Sequence, residues 1–292
     1  MEGLKIAVIG NFSDNRCGFK NFSEQTVTAL ARAGHDVTKW DGTYSVVYAR
    51  REAGIESFLP PDADSYDVLH TVWHPATMNH YAGATWPTGP VKSVWNGCPA
   101  AWCPFNDAMQ VKWGVLGREE GHRQIWYPIP DWIDNLPEAN PAFTVGYSGV
   151  RGDGRLSLET VCRLHGWQMN FSDPAVWLSQ EDEIRRLARS TVNVCWYGGE
   201  HDDRSGSAMV CLASKRPLLV NTVRMMTHLY PYPDQVYIMP NGMDWLDLAL
   251  TQLYKIWQQQ EDFHQPQPTG ILAEKSWSAA VKVLEVGWEA AR

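Results

Sequence analysis

The stretch from His201 to Val220, HDDRSGSAMVCLASKRPLLV, sets Ser205, Gly206 and Ser207 between a charged segment and an apolar helix that runs into a Pro-led strand. Small residues at a helix start suit an anion. Free N–H groups point outward, the helix dipole favours negative charge, and glycine lets a phosphate approach the backbone. The same residues also read as an ordinary N-cap, in which Ser205 or Ser207 closes the first turn at a gain of about 1 kcal/mol. Arg151 and Arg155 flank Gly-Asp-Gly directly after the strand-like FTVGYSG, and Arg204 stands beside the glycine turn. Guanidinium groups carry paired donors that match phosphate oxygens, although each of the three also reads as a solvated loop charge. Glu200 and Asp202, within EHDD, are candidates for binding sugar-like hydroxyls or else form a surface acidic patch. His70 and His74, in LHTVWHP, are candidates for substrate contact or are histidines satisfied within the structure.

Those residues need a scaffold, and the chain alternates strand-like and helix-like segments. LKIAVIG is an apolar run of strand length, followed by NFSEQTVTALARAG at near-helical spacing and by the strand-like HDVTKW. Short connections of this kind favour a parallel sheet. DVLHTV, VKSVWN and RQIWYP are further strand candidates, and the Pro-containing NLPEANPAF marks a domain junction. A second alternation begins at FTVGYSG, with helices at about 156–165 and at EDEIRRLARS, strands at WQMNF and VNVCWY, and an amphipathic helix in GMDWLDLALTQLYKIWQQQ. The final helix is SWSAAVKVLEVGWEAAR. The expected fold is α/β, with two Rossmann-like domains facing a cleft. The expected boundaries are 1–135 for the first domain, 136–275 for the second and 276–292 for a closing helix.

Composition narrows the function classes. A formal charge of −8 does not supply the broad basic surface that phosphate-backbone binding uses. MEGLK leads directly into IAVIG without the segments of a signal peptide, and no apolar run reaches membrane length, so the expectation is a cytoplasmic protein with no integral membrane contact. The 6 cysteines are dispersed without paired CxxC knuckles and read as free thiols. Asp62 to Asp64 reads as a solvated turn, and no metal site is expected. NFSDNRCG is not a GxGxxG fingerprint, and there is no GxSxG elbow or P-loop. Many of the 15 tryptophans cluster in the first half, where they suit core packing or stacking on sugars or bases.

Several segments, in order, resemble the retaining GT-B glycosyltransferases of the broad group-one type. CGFKNFSEQTVTALARAGHDVT resembles the family's opening loop and helix, WYPIPDWID its entry to the second domain, VGYSG the first strand of that domain, ASKRPLLV its ACGxPVI segment, and SWSAAVKVL its closing helix, which in that family returns to pack on the first domain. The resemblance spans nearly the whole chain and implies a GT-B architecture in a compact version, of a size found in glycosyltransferases of viral origin. It implies transfer of a hexose from a nucleoside-diphosphate sugar, foremost a UDP-sugar, to a hydroxyl of a saccharide or small acceptor, with retention and without cofactor or metal. A hydroxymethylated base in DNA is an alternative acceptor, and a non-catalytic nucleotide-sugar-binding protein an alternative role. Carried over, the catalytic set is Arg151, Arg155, Asp202, His70 and His74, and the donor-binding set is Gly18, Ser148, Gly149, Glu200, Arg204, Ser205, Gly206 and Ser207. The chain departs from the family at Val210, where a ribose carboxylate is usual, and at Asn96, where the first domain usually has a histidine.

Overall fold

The computed structural model describes residues 3–13, 18–53, 58–74, 78, 85–96, 103, 106–114, 123–124, 127–148, 153–173, 175–176, 178–198, 205–232, 236–259 and 269–292. The chain divides into two units, one made of Met1–Trp126 with Trp277–Arg292, the other of Tyr127–Ser276.

The first unit holds a parallel sheet of six strands: β1 (Lys5–Gly10), β2 (Asp36–Asp41), β3 (Val68–Trp73), β4 (Val91–Asn96), β5 (Val111–Gly114) and β6 (Arg123–Gln124), in the order β2-β1-β3-β4-β5-β6. The β3–β4 register sets His70 beside Ser93 and Trp73 beside Asn96. Helix α1 (Gly18–Arg32) buries Phe22, Thr26 and Leu30, four residues apart on one face, and Gly34 at φ 92° follows its end, a conformation that only glycine adopts readily. Helix α2 is Tyr44–Glu52. All six residues of β3 are buried, as in a parallel strand covered on both faces.

The second unit holds β7 (Thr144–Tyr147), β8 (Gln168–Phe171), β9 (Val192–Cys195), β10 (Leu218–Asn221) and β11 (Tyr237–Met239), all parallel, in the order β11-β10-β9-β7-β8. Its helices are α3 (Asp153–His165), α4 (Gln180–Leu187), α5 (Gly206–Ala213), α6 (Met243–Gln259) and α7 (Thr269–Glu274). Alternate residues of β10 feed two cores. Leu218 and Val220 join Ile184, Leu187 and the apolar residues of α5, whereas Leu219 joins Leu158, Val161, Leu246 and Leu250 from α3 and α6. Gly146 on β7 has no room for a side chain, because a Cβ there would lie 2.0 Å from Asn193 Oδ1.

The last helix, α8 (Trp277–Glu289), belongs to the first unit. Trp277 is wholly buried, and its indole N–H donates to Gln25 Oε1 at 2.8 Å. His35 accepts a hydrogen bond from the Leu4 N–H through Nδ1 at 3.2 Å, so its proton sits on Nε2 and is donated to Glu285 at 3.0 Å. Gly287 lets α8 close on β5, since a Cβ there would lie 2.5 Å from the Trp113 ring. Among the described residues no helix is long and apolar enough to cross a membrane.

Candidate functional site

In the second unit, β7 is flanked by β8 on one side and β9 on the other, so connections leave it in opposite directions and a crevice opens at the C-terminal strand ends. Tyr147 ends β7 and Ser148 follows it, Trp196 and Tyr197 follow β9, and Asn221 ends β10. Helix α3 starts against this edge. Gly154 in its first turn touches the Trp196 carbonyl so closely that a Cβ would lie 1.8 Å from the oxygen.

Asn221 extends the β9–β10 ladder with its side chain. Its Oδ1 accepts the Tyr197 N–H at 3.2 Å, and its Nδ2 donates to the Tyr197 carbonyl at 2.7 Å and to Asn241 Oδ1 at 2.9 Å. Helix α5 begins just beyond. Ser205 is its N-cap, accepting the Ala208 N–H at 3.0 Å, and the same hydroxyl lies 2.9 Å from the Tyr197 hydroxyl and 3.4 Å from Cys195 Sγ. A serine hydroxyl has one proton and two lone pairs, and three neighbours use all of them. Ser205 is therefore a structural cap with nothing left for a ligand. The N–H groups of Gly206 and Ser207 donate to no described group, and a Cβ on Gly206 would meet nothing within 4 Å. The helix start thus carries two backbone donors without a partner among the described residues, at its positive end.

Among the described residues, the arginines at this edge, Arg155 and Arg186, are paired within the fold. Arg155 donates to Glu159 at 2.9 Å and to the Ser172 carbonyl at 2.8 Å, with its guanidinium over the Phe171 ring. Arg186 binds Glu183, the Tyr147 carbonyl at 2.8 Å, the Ser172 hydroxyl at 3.0 Å and the Asn170 carbonyl, tying α4 to the ends of β7 and β8. Val210 packs on the apolar core beneath α5. Gly149, Arg151, Glu200, Asp202 and Arg204 lie outside the described residues.

The corresponding edge of the first unit lies where β1 and β3 diverge, β2 being on the far side of β1. Gly10 closes β1 with its backbone against Ser23, whose hydroxyl accepts the Asn11 N–H at 3.1 Å. Gly18 opens α1 nearby in the chain. The hydroxyls of Ser13 and Thr43 lie 2.8 Å apart, and Thr43 donates to Asp41 at 2.7 Å. His74 follows β3 with its ring 4.4 Å from Phe19, and partial burial lowers its pKa, which keeps the imidazole neutral at neutral pH.

His70 is a different case, and its expected contact with substrate is not what its surroundings allow. It is fully enclosed in the sheet, with Nδ1 3.1 Å from the Ser93 hydroxyl and its ring against those of Trp95 and Trp288, and burial pulls its pKa down to about 3. Among the described residues no group of three His, Cys, Asp or Glu side chains is placed to hold a metal ion.

Tyr197, Asn221 and Arg186 shape the site without having been singled out from the sequence. The only signal for the first two is position, since each stands at or just past the end of an apolar parallel strand.

The sequence matches no protein-family model and no curated protein. Solved structures match along the whole chain at low identity. A glycosyltransferase from Rickettsia africae is 11% identical with a TM-score of 0.67, covering 99% of each chain. A sucrose-phosphate synthase from Thermosynechococcus elongatus is 11% identical with a TM-score of 0.69, covering 98% of this chain and 99% of that one. An alpha-glucosyltransferase in complex with UDP and a 13-mer DNA containing an HMU base is 8% identical with a TM-score of 0.68, covering 99% of this chain and 100% of that one. The chain has the two-domain α/β fold of the GT-B glycosyltransferases.

Proposed function

We propose that this protein is a glycosyltransferase that moves a sugar from a nucleoside-diphosphate donor, foremost a UDP-sugar, to a hydroxyl acceptor with retention of the anomeric configuration. The observation that carries the reading is the start of α5, where the N–H groups of Gly206 and Ser207 have no hydrogen-bond partner among the described residues, beyond the C-terminal edge of a parallel sheet. Departure of a nucleoside diphosphate builds up negative charge, and preorganised donors aimed at that charge are the largest lever a protein has on such a step. The backbone of Gly206 and Ser207 takes the diphosphate in this reading, with Arg151 and Arg204 as its cationic partners. Arg155 contributes mainly by holding the edge through Glu159 and Ser172. Asp202 and Glu200 serve the donor sugar's hydroxyls in this reading.

The acceptor is a saccharide or small molecule, in keeping with the formal charge of −8. A hydroxymethylated DNA base is the second reading, favoured by the likeness to alpha-glucosyltransferases solved with DNA. The test is release of nucleoside diphosphate from a panel of UDP-, GDP- and ADP-sugars, crossed with glycans and with hydroxymethylated DNA, followed by NMR of the product anomer. Full activity is expected in EDTA, since backbone donors and arginines take the role of a metal. No turnover with any donor, although a nucleotide sugar binds, leaves the non-catalytic binding role; no binding at all ends the reading.

A further inference from the structure

Among the described residues, Tyr197 links the end of β9 to the cap of α5 and is held at both ends. Its backbone is clamped on the N–H and the C=O by the Asn221 amide, and its hydroxyl lies 2.9 Å from Ser205 Oγ. Ser205 is 1% exposed, so a bond lost there is not readily replaced by bulk solvent. We propose that Tyr197 is a positioning residue of the donor site: its hydroxyl fixes the Ser205 cap, and through the cap it aims the Gly206 and Ser207 N–H groups at the donor's diphosphate. This inference rests on the nucleotide-sugar reading of that edge.

The physical argument is one of counting and leverage. Ser205 must accept from Ala208 to close the first turn, which leaves one lone pair and one proton for Tyr197 and Cys195. Without the phenol hydroxyl, one of these loses its strong partner, because a thiol is a weak donor and a weak acceptor. The hydroxyl is then free to turn away from Ala208. N–H groups at a helix start hold an anion only when they converge, so a small loosening of the cap reaches the ligand directly. Burial pushes the Tyr197 phenol well above its ordinary pKa, so it remains a protonated partner across the working range.

The test titrates UDP, GDP and ADP into the full chain and into its Tyr197→Phe, Ser205→Ala and double variants, with melting temperatures alongside. The nucleotide that the wild type binds best is expected to bind Tyr197→Phe about five- to tenfold more weakly, the scale of one neutral hydrogen bond. KM for the donor sugar rises by a similar factor, with kcat changed less. The double variant should be no weaker than Ser205→Ala alone, because the phenol acts through the serine. Ser205→Thr, which keeps the hydroxyl, should restore most of the affinity. A general structural role would instead lower the melting temperature and leave nucleotide affinity unchanged below it. Wild-type affinity in Tyr197→Phe, or additive losses in the double variant, overturns the inference alone. If the wild-type chain binds none of the three nucleotides, the reading of the edge falls, and the inference with it.

Discussion

At the scale of single residues, the sharpest contrast is between Ser205 and Gly206, adjacent in the chain and opposite in role. The serine is spent on structure; the glycine faces open space. A Cβ at Gly206 meets nothing within 4 Å, and a branched side chain there stands where the diphosphate is proposed to approach. Gly206→Val is expected to keep the wild-type melting temperature while losing most of its nucleotide affinity by calorimetry, with Gly206→Ala intermediate. Unchanged affinity in Gly206→Val would reduce the turn to a helix cap. Arg151→Ala should slow transfer by roughly ten- to a hundredfold, the weight of a charged hydrogen bond in steady-state kinetics. A serine-glycine-serine turn is legible as a helix start, but its partner Tyr197 is not, because nothing in the order of residues says that a phenol will fold back onto a hydroxyl eight positions later. The two histidines four residues apart are equally opaque: β3 is buried throughout, so alternation carries no sign of which one is enclosed, and the lid over His70 is Trp288, far along the chain. His70 also fixes a pH dependence. Its native pKa of about 3 lies below the unfolded value near 6.5, so as pH falls through 6.5 towards 3 the unfolded chain takes up a proton that the native one refuses. Stability should fall by up to about 1.4 kcal/mol per pH unit across that window from this group, and urea titrations of His70→Leu should show a shallower pH slope than the wild type.

Among the elements, the apolar runs of strand length at β1, β3, β4, β7 and β9 were readable because parallel strands covered on both faces are nearly continuous in apolar residues. β5 and β11 escaped this reading, being 4 and 3 residues long, and so did α2, whose YSVVYARRE buries only Val47 and leaves Tyr44 and Tyr48 about half exposed. Short elements are specified by their neighbours more than by their own pattern. Packing between elements gives its own prediction. Gly287→Ala would drive a methyl group into the Trp113 ring and is expected to cost about 1–3 kcal/mol by overpacking, read as a lowered melting temperature. Gly89→Ala, where a Cβ meets nothing within 4 Å, is the neutral control. Equal melting temperatures for the two would deny that α8 and β5 are in such close contact.

For the molecule as a whole, the division into units is not a division of the chain into halves. The second unit is one uninterrupted stretch, Tyr127–Ser276, whereas the first needs both ends, Met1–Trp126 and Trp277–Arg292. The sequence suggests a junction near NLPEANPAF because prolines gather there, yet Ile129 and Ile133, ahead of that cluster, already pack in the second unit's core. Ending the chain at Ser276 removes Trp277 and Trp288, both wholly buried, together with the partners of Gln25 and His35. Loss of buried tryptophans costs about 3–5 kcal/mol each, a large part of a domain's stability. The truncated chain should lose amide protection throughout β1–β5 while β7–β10 stay protected, as hydrogen exchange would show; uniform loss or uniform retention would contradict the observed division.

The closing position of α8 also bears on the order in which the protein is made. Domains ordinarily fold as they emerge, the first-synthesised one first. Here the residues that cover His70 and Trp113 leave the ribosome after the whole of Tyr127–Ser276, so the first unit cannot be completed before the second has been made. Until then part of its sheet lacks the apolar cover that Trp277 and Trp288 provide. A ribosome stalled before Trp277 holds a protein whose second unit has every residue it needs and whose first does not.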